Sequence, residues 1–190
     1  TPTNWNDDYI TPFSAAGPTL DAFVKPDVVA PGAHMTSSML PNSTIARQHT
    51  ANKITPFYFS MAGTSQATAV VSGVAALILS HNPELTPNQV KFRIMVTSFL
   101  WVDPNTTEAL YSMWQQGNGR VNAPDAVFAD VLGEANAGMD IQADLAGTTH
   151  YTGYTIYDEA TGTFHLLSDY GTWRGGYGTW SGGDGTWSGG

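Results

Sequence analysis

The strongest pattern in the chain is an apolar run that follows a Gly-Thr-Ser turn. Residues 67–79 are almost all small or branched apolar side chains, with Thr68 and Ser72 as the only hydroxyl residues. The run predicts a helix that is apolar on all sides, and a helix of this kind passes through the middle of a domain. His81-Asn82-Pro83 predicts where it ends. The run is too short to span a bilayer.

Shorter patterns predict the other elements. Thr86, Pro87 and Gln89 form a capping signal, which predicts a second helix to about Ser98. Pro124 predicts the start of a further short helix. The sequence also predicts three strands, Phe23–Ala30, His34–Leu40 and Phe57–Met61, with a polar surface loop between the last two.

The run from Phe23 to Ala30 is continuously apolar, which is typical of a parallel strand buried on both faces. Together with the helices it predicts an α/β fold with a three-layer parallel sheet.

The pattern weakens after residue 128. Residues 129–170 predict an irregular extension with a small hairpin between Thr152 and Leu167. Residues 171–190 repeat Gly-Thr-Trp with a seven-residue period, and their glycine content excludes a helix. We therefore divide the chain into 1–128, 129–170 and 171–190. The tail is interpreted either as a ladder of tryptophans that binds a polymer surface or as a segment without a packed core.

Charge and composition exclude several classes of function. Seven Lys and Arg stand against sixteen Asp and Glu, for a net charge of −9. This balance argues against nucleic acid and against an anionic membrane surface as partners. The chain contains no cysteine, so disulfides and thiolate metal sites are absent. The polar start, without Met, is interpreted as part of a longer precursor.

Ser65 is the candidate for chemistry. It lies where the first turn of the apolar helix is expected, and that turn has unpaired N–H groups and a partial positive charge. A nucleophile beside an oxyanion hole needs this setting. Gly63 permits a close backbone approach. From these residues alone, a helix-capping serine is the favoured interpretation.

Four segments in three parts of the chain carry a resemblance to a known family. Residues 63–68 (Gly-Thr-Ser-Gln-Ala-Thr) with the apolar helix resemble the nucleophile segment of the subtilisin-like serine proteases. Residues 13–18 (Phe-Ser-Ala-Ala-Gly-Pro) and 25–32 (Lys-Pro-Asp-Val-Val-Ala-Pro-Gly) resemble upstream motifs of that family. Residues 117–123 (Gly-Asn-Gly-Arg-Val-Asn-Ala) resemble a motif near the end of its catalytic domain.

The resemblance implies a secreted, bacterial serine endopeptidase with the subtilisin-like fold, of which this chain is the C-terminal part. Ser65 would attack the substrate carbonyl, and its N–H would be an oxyanion donor with Thr64 and Gly63 beside it. The implied partners are a protein or peptide substrate and the N-terminal half of the same catalytic domain. No cofactor is implied for this chain, although the resemblance allows a structural calcium in the full-length family member and places Asp27 where some relatives bind a weak structural cation.

The family's triad Asp and His and its oxyanion Asn precede the serine in characteristic motifs. His34 and His49 lack that motif context, as do the aspartates before Ser65. The chain alone is therefore predicted to be inactive. Alternatives are a non-catalytic scaffold, a surface-binding module centred on the tail, and a Ser–Asp–His order with His150 or His165 as base.

Overall fold

A computed structural model describes residues 8–17, 25–103, 105, 109–146, 148, 155–158 and 163–166. The strands in chain order are β1 (Met35–Ser38), β2 (Lys53–Thr55), β3 (Tyr58–Met61), β4 (Thr155–Asp158) and β5 (Thr163–Leu166). The helices are α1 (Thr44–Gln48), α2 (Thr64–His81), α3 (Pro87–Val96), α4 (Met113–Gln116), α5 (Ala123–Phe128) and α6 (Ile141–Leu145), with a 3-10 turn at Thr50–Asn52.

Helix α2 has the predicted bounds, but it is not buried on all sides. Val74 and Ile78 pack against Val90 and Ile94 of α3 and against α5, and these residues form the core. On other sides of α2, Leu77 is 55% exposed and Leu79 is 41% exposed. The prediction of a fully enclosed helix is therefore wrong for the described chain, because α3 and α5 cover only one side.

Local capping signals set the starts of α3 and α5. The Thr86 hydroxyl accepts a hydrogen bond from the Gln89 N–H, and the Gln89 side chain accepts one from the Thr86 N–H. This reciprocal pair is the predicted capping box. Helix α3 ends at Val96, slightly before the predicted Ser98. Asn122 caps α5, whose first helical turn contains Pro124.

Strands β1, β3 and β2 form an antiparallel sheet in that order. The strands predicted at 34–40 and 57–61 are confirmed as β1 and β3. The polar loop expected between them is more structured than predicted, because it contains α1, the 3-10 turn and β2. Ser43 caps α1 by accepting a hydrogen bond from the Ala46 N–H, a signal that the sequence contained.

The predicted strand at 23–30 is not regular over its described residues, 25–30. Val29 forms a single parallel bridge with Arg120, and residues 25–30 are half-buried. This bridge is the only parallel pairing among the described residues, since both named sheets are antiparallel. Phe23 and Val24 lie outside the described residues.

The hairpin predicted between residues 152 and 167 is confirmed by antiparallel pairing of β4 with β5. Before it, residues 131–139 lie against α3, where Gly133 contacts the Phe92 ring. The repeat at 171–190 lies outside the described residues, and the three domain boundaries stay predictions. None of the described helices is long and apolar enough to cross a membrane.

Candidate active site

Ser65 is exposed at the start of α2. The N-cap of α2 is Gly63, which has no side chain to cap the helix. Ser65 is the second residue of the helix, so the interpretation of this serine as the cap is wrong. At this position its N–H has no partner within the helix. The Ser65 side chain is exposed to solvent. It lies next to an unpaired backbone N–H at the positive end of the helix dipole.

The turn before Ser65 is fixed by a contact between two glycines. The Gly63 N–H donates a hydrogen bond of 2.8 Å to the Gly32 carbonyl. A Cβ on Gly32 would lie 2.8 Å from the Gly63 oxygen and 3.1 Å from the Ala67 Cβ, which leaves no room for a side chain. The segment 25–32 thus sets the position at which the chain enters α2.

The motif at 117–123 in turn holds the segment 25–32. Both the Asn118 N–H and its side-chain amide donate to the Asp27 carbonyl, at 2.9 and 3.1 Å. Val29 donates to Gly119 and accepts from Val121, each at 2.9 Å. The segments 25–32, 63–68 and 117–123 therefore form one connected scaffold, which ends at the turn that carries Ser65.

The two glycines of that motif are required by close backbone contact. Gly117 has φ +58°, and a Cβ there would lie 2.2 Å from the Pro26 carbonyl oxygen. Gly119 has φ +100°, and a Cβ would lie 2.2 Å from the Phe99 oxygen. Residues with a side chain are disfavoured at these φ values and have no space here.

Asp27 lies among cations that the protein itself supplies. Its carboxylate contacts the Lys25 ammonium and lies 3.0 Å from Lys91 Nζ. Within the part of the chain that the structure describes, no three His, Asp or Glu side chains group as a metal site. The observed contacts of Asp27 are consistent with a structural ion-pair role.

Sequence reasoning missed Lys91 and Arg120. The Arg120 guanidinium contacts the Asp8 carboxylate and lies over the Trp101 ring, 5.8 Å from its centroid. No sequence pattern around either residue indicates these contacts, because each joins segments that are distant along the chain. Scarce cations at half-buried positions are typical of internal ion pairing.

An open groove of about 1250 Å³ lies between the segment 25–34 and helices α2 and α3. Its walls are largely apolar, with Val71 and Ala75 from α2 facing residues 28–30. Gly63 and Thr64 also line it, so the groove reaches the start of α2.

The structure does not join Ser65 to a general base among the described residues. Among the described contacts, neither His34 nor His49 hydrogen-bonds the serine, and both are exposed. The His81 ring packs edge-on to Phe128, with the ring centroids 5.3 Å apart. His165 lies in β5, and His150 lies outside the described residues. The arrangement presents a hydroxyl and a backbone donor, which are two of the groups that acyl transfer requires.

His34 has a left-handed backbone, with φ +54°, directly beside the glycine contact. Asparagine is favoured in this region because its short polar side chain can hydrogen-bond locally. We therefore expect His34→Asn to raise the free energy of unfolding by about 0.5–1 kcal/mol. Urea unfolding of the chain measures this, with His49→Asn as the control at an exposed residue of φ −120°. Equal effects of the two substitutions would contradict the backbone explanation.

Comparison with known proteins agrees with this scaffold. Residues 3–159 match the model of the Subtilase family. The chain is 39% identical over 122 residues to serine protease AprX of Bacillus subtilis, covering 64% of this chain and 26% of AprX. It is 33% identical over 128 residues to subtilisin-like protease SBT3.9 of Arabidopsis thaliana, covering 62% and 16%.

Among solved structures, the chain is similar to fervidolysin from Fervidobacterium pennivorans, a keratinolytic enzyme related to subtilisin. The match has a TM-score of 0.39 and 23% identity, and covers 51% of this chain and 14% of that one. The chain thus spans about a quarter or less of these relatives. The family match extends over most of the 190 residues and includes all three connected motifs, and the chain belongs to the subtilase family of serine proteases, with its α/β fold.

Proposed function

We propose that this chain is the serine-bearing part of a subtilisin-like serine endopeptidase, with Ser65 as the nucleophile. One observation carries the proposal: Ser65 is exposed at the second position of α2, in a turn held by the hydrogen bond between Gly63 and Gly32. A serine positioned only to cap the helix would occupy the place that Gly63 has.

In the proposed reaction, the Ser65 oxygen attacks the carbonyl carbon of the scissile peptide bond while its proton passes to a histidine. The Ser65 N–H donates to the developing oxyanion, with the Thr64 hydroxyl as a second donor on the same side. The C–N bond breaks, the amine leaves with the proton from the histidine, and an acyl-enzyme remains. Water then releases the acyl group and restores the serine.

We assign the histidine, the aspartate that orients it and the oxyanion asparagine to a preceding N-terminal half of the catalytic domain. Two features support this assignment. The uncovered side of α2 and the apolar groove beside it are surfaces suited to further layers of a domain. The relatives are about four to six times longer than the region matched here, as the 26% and 16% coverage indicates.

The three-layer parallel sheet belongs to this proposal as well. The bridge between Val29 and Arg120 supports it, because it pairs two segments in parallel orientation close to α2. We further propose a secreted enzyme that acts on proteins or peptides, in line with the family.

A fluorophosphonate probe tests the proposal. We expect no labelling of the 190-residue chain at a protease-like rate, because a serine without a base is a poor nucleophile. A longer protein that contains this chain with the preceding half is expected to label at Ser65, as located by mass spectrometry of the peptide. Labelling of the short chain at an enzyme-like rate contradicts the shared-site assignment, and a longer protein that remains unlabelled is a non-catalytic scaffold.

A further inference from the structure

Lys91 on α3 connects two parts of the chain that are distant in sequence. Its ammonium donates a hydrogen bond of 2.9 Å to Asn136 Oδ1 and lies 3.0 Å from the Asp27 carboxylate. Lys91 and Asp27 are each about 30% exposed, at 30% and 31%. The ammonium therefore joins the segment 25–32 on one side to the segment 131–139 on the other.

Through Asp27, the Lys91 contact is connected to the turn that carries Ser65. Asp27 lies in the segment whose last residue, Gly32, accepts the hydrogen bond from the Gly63 N–H. Lys25, the other cation at the Asp27 carboxylate, belongs to the same segment and cannot tie it to α3. Within the described residues, Lys91 is thus the charged contact that fixes this segment to a helix of the core.

The Asn136 side leads to the segment after α5. The Asn136 amide also donates to Asn88 Oδ1 at 3.0 Å, and the Ala135 N–H donates to the Asn88 carbonyl at 3.1 Å. Asn136 has φ +59°, a conformation that asparagine tolerates better than most residues. A backbone held in this way keeps its side-chain oxygen directed at Lys91.

We propose that Lys91 is a positioning residue, which couples the docked segment 131–139 to the turn that carries Ser65. Its role in catalysis rests on the proposed function, because the position of this turn affects kcat only if Ser65 is the nucleophile. The coupling itself is a property of the fold. Losing the ammonium frees the segment 25–32 from α3 and loosens the contact between Gly32 and Gly63.

Hydrogen exchange of backbone amides in the 190-residue chain tests the coupling without any activity. In Lys91→Met we expect the Gly63 and Val29 amides to exchange about five- to tenfold faster, as for loss of one partly exposed ion pair and its hydrogen bond. The amide of Ile78, in the centre of α2, is expected to be unchanged. Lys53→Met, a matched substitution in exposed strand β2, is expected to leave all three amides unchanged.

A uniform acceleration that includes Ile78 would show a merely global effect and overturn the proposal, as would no acceleration at Gly63. Lys91→Arg keeps the cation and is expected to restore protection to within about twofold of the original chain. Failure of this rescue, with the variant folded, also overturns the role of the charge.

Asn136→Ala tests the other half of the connection. It removes the acceptor from the docked segment and leaves the ion pair between Lys91 and Asp27 in place, so we expect faster exchange at Gly63 by a smaller factor. The double variant Lys91→Met/Asn136→Ala is expected to match Lys91→Met alone, because both act through one ammonium. Strictly additive effects would overturn the coupling.

Peptide hydrolysis by a longer protein whose Ser65 reacts with the fluorophosphonate probe separates this inference from the proposed function. There, Lys91→Met is expected to lower kcat about fivefold with KM little changed, since the substitution displaces the nucleophile and not the substrate. If Ser65 proves unreactive, the proposed function fails while the exchange result still decides the coupling. If Ser65 is reactive and exchange at Gly63 is unchanged, the coupling alone fails.

Discussion

Substituting Ser65 by alanine is expected to abolish turnover in a longer protein that contains this chain with its catalytic base. In subtilisin itself, the known loss for removal of the nucleophile is about 10⁶-fold in kcat, and we expect a fall of the same order here. Because Ser65 is exposed and does not cap α2, the substitution is expected to change the free energy of unfolding by less than about 0.5 kcal/mol. The substitution is thus expected to remove activity while leaving the free energy of unfolding nearly unchanged.

Ser72→Ala is the matched control on the same helix. The Ser72 hydroxyl donates to the Thr68 carbonyl at 2.9 Å, two turns along α2 from Ser65, and it is exposed. We expect this variant to keep its turnover within about twofold, as for a surface substitution. Peptide hydrolysis assays of the two variants measure the difference, and retention of more than about 1% of kcat by Ser65→Ala would remove it from the reaction.

Features set by neighbouring residues were predictable from the sequence. The capping box of α3 needs only Thr86 and Gln89, and the end of α2 needs only the break at residues 81–83. The order of the family-like motifs along the chain also indicates the family. These signals are local because each depends on hydrogen bonds within one turn, or on a short run of residues.

Contacts between distant segments were not predictable in the same way. Nothing in the pattern around Lys91 indicates that its ammonium reaches both Asp27 and Asn136, which lie 64 residues before and 45 residues after it. The same limit explains the error over α2. An apolar pattern on all sides of a helix indicates that the helix is covered on all sides. It does not indicate whether the covering layers belong to the same stretch of chain.

Burial of single residues was also missed where it depends on packing. Gln116 is fully buried. Its side chain accepts a hydrogen bond from the backbone N–H of Trp101 at 2.9 Å and donates one to the Tyr111 carbonyl at 2.7 Å. A buried amide with both polar ends satisfied is well tolerated. Its sequence position beside Gly117 gave no sign of this role, because glutamine is usually exposed.

The second large effect is expected at Gly119, a residue of the 117–123 motif at which the structure leaves no space for a side chain. Gly119→Ala would place a methyl group 2.2 Å from the Phe99 oxygen at φ +100°. The backbone must move to relieve this contact, so we expect a loss of about 3 kcal/mol or more in the free energy of unfolding. Such a loss is a large part of the stability of an ordinary domain.

Gly73→Ala separates this explanation from a general sensitivity to loss of glycine. Gly73 lies inside α2, and a Cβ there would meet nothing within 4 Å. Alanine is the better helix former, so this variant is expected to gain about 0.5–1 kcal/mol. Urea unfolding monitored by circular dichroism is expected to move the two midpoints in opposite directions. A similar shift for both would mean that the 117–123 motif does not hold the segment 25–32 by close backbone contact, and the connected scaffold beneath Ser65 would lose its main support.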